Sequence, residues 1–212
     1  MALSQPFDLF GDFPGWITSF DLKWRQEQST QASGRIIVKD LGTPLWTLKA
    51  QSKQLSPNTL DYWRARLNAM ENGLSTFYGY SLSRTFPIKY PNRSWPTGSS
   101  FSGTTAAVSA ININRKAIAV ASLPAGYVIS IGDYVKIGAT DLHQAMESAT
   151  ANGGGVTPQF EVRPHIWPGV SGGAVSVRKP SCIMAIVPGS LSSEAGLNGW
   201  GSISFSAIEA RT

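Results

Sequence analysis

A serine set among glycines and two histidines are the residues with the clearest potential for chemistry. Ser171 lies in a Gly-Val-Ser-Gly-Gly run at 169–173, a pattern typical of the nucleophile in serine hydrolases. Such a serine needs an imidazole to take its proton and a carboxylate to orient that imidazole. His143 and His165 are the two histidines that could serve.

The spacing of these residues argues against a catalytic triad. In chymotrypsin-like proteases the histidine lies far upstream of the serine, and an aspartate lies between the two. Here His143 precedes Ser171 by only 28 residues, and the interval contains no aspartate. We therefore interpret the glycine-rich run as a turn, where glycine permits positive φ. We predict no catalytic residue and no enzymatic activity.

Metal, phosphate and cofactor chemistry receive no support from the other residues. The single cysteine, Cys182, stands in an apolar run and is typical of a small buried side chain. The cysteine and the two histidines are too widely spaced for a metal site. The glycine run at 152–155 is followed by no lysine, so it predicts a turn instead of a phosphate loop. We predict no metal and no cofactor.

The composition favours short strands joined by turns and a surface covered by partners. The 212 residues include 21 Gly and 13 Pro, and only 15% are charged, against roughly 25% in an average soluble domain. The net charge of +5 comes from scattered basic residues, which does not indicate sequence-specific nucleic-acid binding. The sequence contains no apolar run near the roughly 18 residues that span a membrane and no signal-peptide pattern at its start, so we expect assembly in the cytoplasm.

The first half of the chain predicts strands followed by one helix. Apolar residues alternate from Trp16 to Trp24, which predicts a half-buried strand. A polar stretch at 25–34 leads into a strand at 35–39, and a turn at 42–44 predicts a hairpin with 45–50. Ser56 is suited to cap a helix over 57–72 that ends near Gly73 and packs one face against a sheet.

The second half predicts a small all-β unit and strands that return to the first half. Short predicted strands and turns fill 98–170, which we expect to form an inserted, barrel-like β domain. Residues 1–97 and 171–212 are expected to form a β-sandwich-like domain, with the alternating strand at 202–209 pairing with the first strands. The predicted fold class is therefore mostly β, with one packed helix.

The tryptophans divide into core and interface candidates. Trp24, Trp46 and Trp63 fall on apolar faces and are predicted to be core residues. Trp95, Trp167 and Trp200 each stand beside proline or glycine, so we predict that they contact other subunits. Aromatic side chains of this kind could equally line a groove for sugars.

Several segments resemble the distal tail proteins of long-tailed bacteriophages. Together they span most of the chain: Trp24–Ser29, Gly34–Gly42, Asp61–Leu67, Phe77–Tyr80, Pro124–Gly126, Gly132–Tyr134 and Glu161–Pro164. The resemblance implies a homohexameric ring at the far end of the tail tube, with a lumen for DNA. The implied partners are the tail tube protein and the tip hub protein, with the tape measure protein as a further candidate, and the implied location is the virion.

The resemblance also implies which part forms the ring. The first domain would pack around the axis, and the inserted domain would project outward. An alternative is a β module of the tail tip that binds a carbohydrate or a receptor during host attachment. The two hypotheses differ because a ring protein forms hexamers, whereas a lectin-like module binds glycans as a monomer or a small oligomer.

Overall fold

The computed structural model describes residues 5–96 and 100–211. Strands make up 40% and helices 12% of the structure, which confirms the mostly β class. The α-helix is α1 (Pro57–Asn68), and the strands are β1 (Gly15–Lys23), β2 (Gln26–Thr30), β3 (Ile36–Asp40), β4 (Leu45–Ser52), β5 (Thr76–Gly79), β6 (Ala106–Ile111), β7 (Ala117–Ala121), β8 (Val128–Ile129), β9 (Tyr134–Ile137), β10 (Asp141–Ala145), β11 (Ala149–Thr150), β12 (Phe160–Arg163), β13 (Ala174–Ser176), β14 (Cys182–Ile186), β15 (Ser192–Ala195) and β16 (Gly201–Glu209). Over these described residues, no helix has both the length and the apolar character needed to cross a membrane.

The chain divides into two compact units that each contain two stretches of sequence. One unit, the barrel unit, comprises Met1–Phe13 and Thr76–Met184, and the other, the sheet unit, comprises Pro14–Ser75 and Ala185–Thr212. These divisions differ from the predicted ones at 97/98 and 170/171. Part of the composition shift used to place the first predicted boundary, at 97–99, lies outside the described residues.

The barrel unit is built around a closed six-stranded barrel in the order β10-β12-β7-β6-β13-β9. β13 pairs with both β6 and β9, so the barrel closes only with residues beyond 170. This pairing explains why the unit extends past the predicted insertion. The core is filled by apolar strand residues such as Ile118, Val135, Phe160 and Val175, each fully buried.

Aromatic residues upstream of the barrel also belong to its core. Tyr90 stacks on Tyr127 with ring centroids 4.5 Å apart, and its hydroxyl accepts a hydrogen bond from the backbone N–H of Val128 at 2.8 Å. The stretch before the predicted boundary is therefore bound to the barrel by packing. β10 also belongs to the barrel wall, because Asp141–Ala145 pairs with β9 and β12.

The sheet unit contains β1, β4 and β16 as neighbouring antiparallel strands, with β15 paired to β16. Trp46, Leu48 and Ala50 of β4 and Phe205 of β16 are buried on one face. The helix α1 contacts β16 and buries Leu60, Trp63 and Leu67. The pairing of β16 with β4 confirms the prediction that the last strand returns to the first ones.

The helix begins where the sequence predicted and ends four residues earlier. Pro57 is its first residue, and Ser56 precedes it with an extended backbone. A 3-10 turn at Glu71–Gly73 follows the helix, and Asn72 has a φ of 52°. A Cβ at Gly73 would lie 2.4 Å from the carbonyl oxygen of Ile186. The positive φ of Glu71 and Asn72 is incompatible with an α-helix, so the helix stops short of residue 72.

The predicted hairpin between 35–39 and 45–50 is not formed. β3 instead pairs with β2, and β4 pairs with β1. The polar stretch at 25–34 supplies β2 and the connecting turn, in which the N–H of Gly34 donates to the carbonyl of Gln31 at 2.8 Å. Gly34 has a φ of +80°, which glycine adopts without strain.

A β-bulge reverses the alternation predicted along β1. Ile17 lies opposite Ala50 and Ser19 lies opposite Lys49, so Thr18 is an extra residue on β1. An extra residue moves the following side chains to the other face of the sheet. Trp16, which precedes the bulge, is consequently exposed.

The three tryptophans predicted as core residues have different outcomes. Trp46 and Trp63 are buried, as predicted. The prediction for Trp24 is wrong, because this residue follows the end of β1 and is 50% exposed. Its side chain falls beyond the part of β1 that pairs with β4, where the sheet no longer covers it.

Candidate interaction surface

β2 and β3 form a two-stranded antiparallel ribbon that is separate from the other sheets. Five residue pairs run from Gln26 opposite Asp40 to Thr30 opposite Ile36. The N–H of Leu41 donates to the carbonyl of Arg25 at 2.7 Å, which extends the ribbon by one pair. All ten strand residues are exposed, so the folded chain covers neither face of the ribbon.

The ribbon presents apolar side chains on both faces. Ile36 and Val38 lie on one face and Ile37 lies on the other, because successive side chains of a strand alternate. These three side chains are 57%, 55% and 45% exposed, respectively. Leu41, at the base of the ribbon, is also exposed. A consecutive group of exposed β-branched residues is typical of a surface that another molecule covers.

The polar residues of the ribbon leave its electrostatic character close to neutral. Glu27 lies directly opposite Lys39, so the two charges face each other across the ribbon. The other side chains of β2 are uncharged Gln, Ser and Thr. With Asp40 of β3 the two strands carry one formal positive and two formal negative charges, so burial of apolar area would be the larger favourable term for a partner that bound here.

The three predicted interface tryptophans have different surroundings. Trp95 is partly buried in the barrel core, with its ring 5.2 Å from Phe101 and 6.1 Å from Tyr127 between centroids. Trp167 is partly buried, and its carbonyl accepts a hydrogen bond from Arg115. Trp200 is 44% exposed at the turn between β15 and β16. Packing within the barrel unit already accounts for Trp95, whereas Trp200 presents its ring to the surface.

The residues considered for hydrolysis lie in different environments. Ser171 is exposed in the connection between β12 and β13. His143 is fully buried on β10, with its Nδ1 2.9 Å from the carbonyl oxygen of Pro164. His165 is partly buried. The burial of His143 leaves no open cleft around its ring in which a substrate could be attacked.

The loop that contains Ser171 is held by a single arginine. The Nε of Arg115 donates to the carbonyl of Ile166 at 2.9 Å, and its Nη2 donates to the carbonyls of Trp167 and Val170. A guanidinium has five donors in a fixed fork, which suits it to gather several carbonyls. These contacts hold the backbone at Ile166, Trp167 and Val170, directly upstream of Ser171.

The buried carboxyl group of Asp133 is also engaged by the backbone. It lies beside a shallow cleft lined in part by Arg84, and its two oxygens accept the N–H groups of Ile88 at 2.7 Å and Ser130 at 2.8 Å. Burial raises the pKa of this carboxyl, and the two N–H donors and Arg84 oppose the rise. One oxygen serves the turn before β9 and the other binds the backbone at Ile88, so the acid has a structural role.

Cys182 and the acidic residues offer no metal site in the described parts of the chain. Cys182 is fully buried, as predicted, and its thiol lies 3.8 Å from the carbonyl oxygen of Gly79. Within residues 5–96 and 100–211, no group of three or more His, Cys, Asp or Glu side chains is arranged to hold a metal ion.

The comparisons with known proteins identify no relative. The chain matches no model of a known protein family and no curated protein.

Sequence reasoning missed the ribbon, which exposes three consecutive apolar residues, Ile36 to Val38. The β2 stretch has no apolar alternation, so its pattern predicts a connection instead of a strand. One signal was present: Ser33-Gly34 between a polar and an apolar run is typical of a hairpin turn. The sequence predicted that the β3 residues pair with 45–50 in a packed hairpin. They are exposed because β3 pairs with β2 instead.

Proposed function

We propose that this chain is a structural subunit that assembles into a ring at the distal end of a phage tail tube. In this role it joins the tube to the tip hub and leaves a lumen for DNA. The sequence resemblance to distal tail proteins supports the phage context. The exposed apolar ribbon of β2 and β3 is the single observation that supports assembly.

The ribbon supports assembly because it is unstable by itself. A two-stranded ribbon is marginally stable in water unless further strands or a packed face support it. Burial of apolar surface contributes roughly 25 cal/mol per Å². Covering Ile36, Ile37 and Val38 therefore stabilises both the ribbon and the assembly, and each subunit is expected to present its ribbon to a partner.

The proposed role is structural, without catalysis or a cofactor. The partners are further copies of the chain, the tail tube protein and the tip hub protein, with the tape measure protein as a further candidate. The location is the virion, after assembly in the host cytoplasm. Scattered basic residues suit a lumen that lets DNA slide, because strong phosphate contacts would retain it.

Light scattering of the purified chain tests the proposal. We expect a particle six times the 22.8 kDa protomer mass, formed by the chain alone or on addition of the tail tube protein. A chain that remains a 22.8 kDa monomer in both conditions contradicts the proposal.

A second candidate function is supported by exposed aromatic residues of the sheet unit. Trp16, Trp24, Tyr62 and Trp200 all present their rings to solvent, and aromatic faces of this kind could stack on sugars. A receptor- or carbohydrate-binding module would bind a glycan as a monomer, with a change in tryptophan fluorescence. The hexameric mass distinguishes the first proposal from this one.

A further inference from the structure

The sheet unit has an open sheet edge as well as an exposed ribbon. Among the described strands, β1 pairs with β4 alone, which leaves its nine-residue outer edge without a neighbouring strand. An edge strand exposes unpaired N–H and C=O groups that can pair with another chain. The same unit therefore presents a site that accepts a strand and a ribbon that could provide one.

The apolar residues of β1 are also incompletely covered. Ile17, Phe20 and Leu22 lie on the buried face of the sheet, yet each is only half-buried. The corresponding residues of β4, such as Leu48, are fully buried. The difference arises because β4 has strands on both sides, and a strand added beside β1 would complete the cover.

We propose that the β2–β3 ribbon of one copy pairs with the open β1 edge of the next copy, in a head-to-tail arrangement. This inference rests on the proposed function and names the two surfaces through which the ring assembles. Strand addition to a sheet edge gains main-chain hydrogen bonds, and alternate side chains fit the extended face. Ile37 or the Ile36 and Val38 pair would then lie beside the half-buried residues of β1.

The two surfaces favour ribbon-to-edge pairing over ribbon-to-ribbon pairing. A pair of ribbons would use the same patch twice, whereas a ribbon placed on an open edge joins two different patches. Ribbons paired with each other would leave both β1 edges unpaired and the β1 apolar residues half-covered. A heterologous contact uses both surfaces in every subunit and generates a ring when its rotation closes.

The size of the ribbon makes one contact weak. A five-residue strand pair is about 17 Å long and about 10 Å wide, which gives roughly 170 Å² per face in projection. A stable interface buries roughly 800 Å² per partner. An open chain of copies leaves one ribbon and one β1 edge unpaired at its two ends, whereas a closed ring pairs every ribbon with an edge.

Cross-linking of variants that each add one cysteine tests this arrangement. Thr18→Cys places a thiol on β1, and Gln28→Cys places one on β2 without altering the apolar residues; both positions are exposed. The native Cys182 is fully buried, so the wild-type chain serves as the background. With a short bis-maleimide, we expect a cross-linked dimer when the two variants are mixed and none from either variant alone.

A matched variant controls for random collision. Ser204→Cys lies on the outer face of β16, an interior strand of the sheet, and should not cross-link to Gln28→Cys. Hexamers without a cross-link between positions 18 and 28, or a Gln28→Cys variant that links to itself, overturn the head-to-tail pairing and leave the proposed function standing. A chain that stays monomeric in every one of these experiments overturns both the head-to-tail pairing and the proposed function.

Discussion

Ile37 lies directly opposite Ser29 across the β2–β3 ribbon, and both side chains are exposed. Each apolar residue of β3 likewise faces a small or polar residue of β2, so the ribbon cannot cover its own apolar atoms. A partner that buries these apolar atoms would therefore gain the free energy of removing them from water. This relationship links the local pairing to assembly.

Loss of the apolar ribbon residues should abolish assembly and leave the fold intact. In the double variant Ile36→Thr and Val38→Thr, threonine keeps the β-branched shape that suits strands and removes apolar area. We expect monomers by light scattering with an unchanged circular dichroism spectrum, and a lower melting temperature because the stabilisation by assembly is lost. Leu197→Thr, which alters a fully exposed residue of another turn, is the matched control and should remain assembled. An assembled double variant would show that the ribbon is not the contact.

A buried carboxylate in the sheet unit should contribute strongly to stability. Glu209 accepts a hydrogen bond from the backbone N–H of Trp46 at 3.1 Å and pairs with Arg211 at 2.8 Å. Glu209→Ala leaves a buried N–H without this acceptor, and we expect a loss of about 1–3 kcal/mol in the free energy of unfolding. Urea titration measures the loss. The control, Glu194→Ala on the exposed strand β15, should change stability by less than about 0.5 kcal/mol.

Asp133 should give the barrel unit a recognisable pH dependence. Burial raises the pKa of this carboxyl above its ordinary value of 3.8, so the folded state binds its proton more tightly than the unfolded state. Stability from this group therefore increases as the pH falls through the folded pKa toward 3.8 and is lost as the pH rises. We expect the wild type to gain stability relative to Asp133→Asn over this window in thermal melts. A wild-type chain that loses stability relative to Asp133→Asn as the pH falls contradicts the assignment.

Ser171 should not behave as an activated nucleophile. Its loop is exposed and held by Arg115, whereas the His143 ring is buried against Pro164. We expect a fluorophosphonate probe to label the wild-type chain no more than Ser171→Ala, as measured by intact mass. Stoichiometric labelling that disappears in Ser171→Ala would establish a hydrolase and refute a purely structural role.

Patterns among neighbouring residues predicted the start of α1 and the presence of a small barrel. The start of α1 follows from Pro57 and the spacing of Leu60, Trp63 and Leu67, and the structure confirms it. The small barrel was expected from short strands and frequent turns. Its extent was not predictable in the same way, because β13 closes it by pairing with strands distant in sequence.

Strands β1 and β3 show why the exposure of some apolar residues could not be predicted from the sequence. Alternation along β1 indicates a strand, but a bulge at Thr18 moves Trp16 to the exposed face. Likewise, Ile36 to Val38 indicates a strand without revealing whether it pairs with the preceding or the following segment. Only the register with Gln28 and its neighbours shows that these apolar residues remain exposed.

Electron cryo-microscopy of the intact particle that contains this chain is the most direct test of a ring-forming role. We expect six copies around the axis at the distal end of the tail tube, with each β2–β3 ribbon buried against a neighbouring copy. A chain found away from the tube, or a protomer whose ribbon remains in solvent within the native particle, would contradict the account.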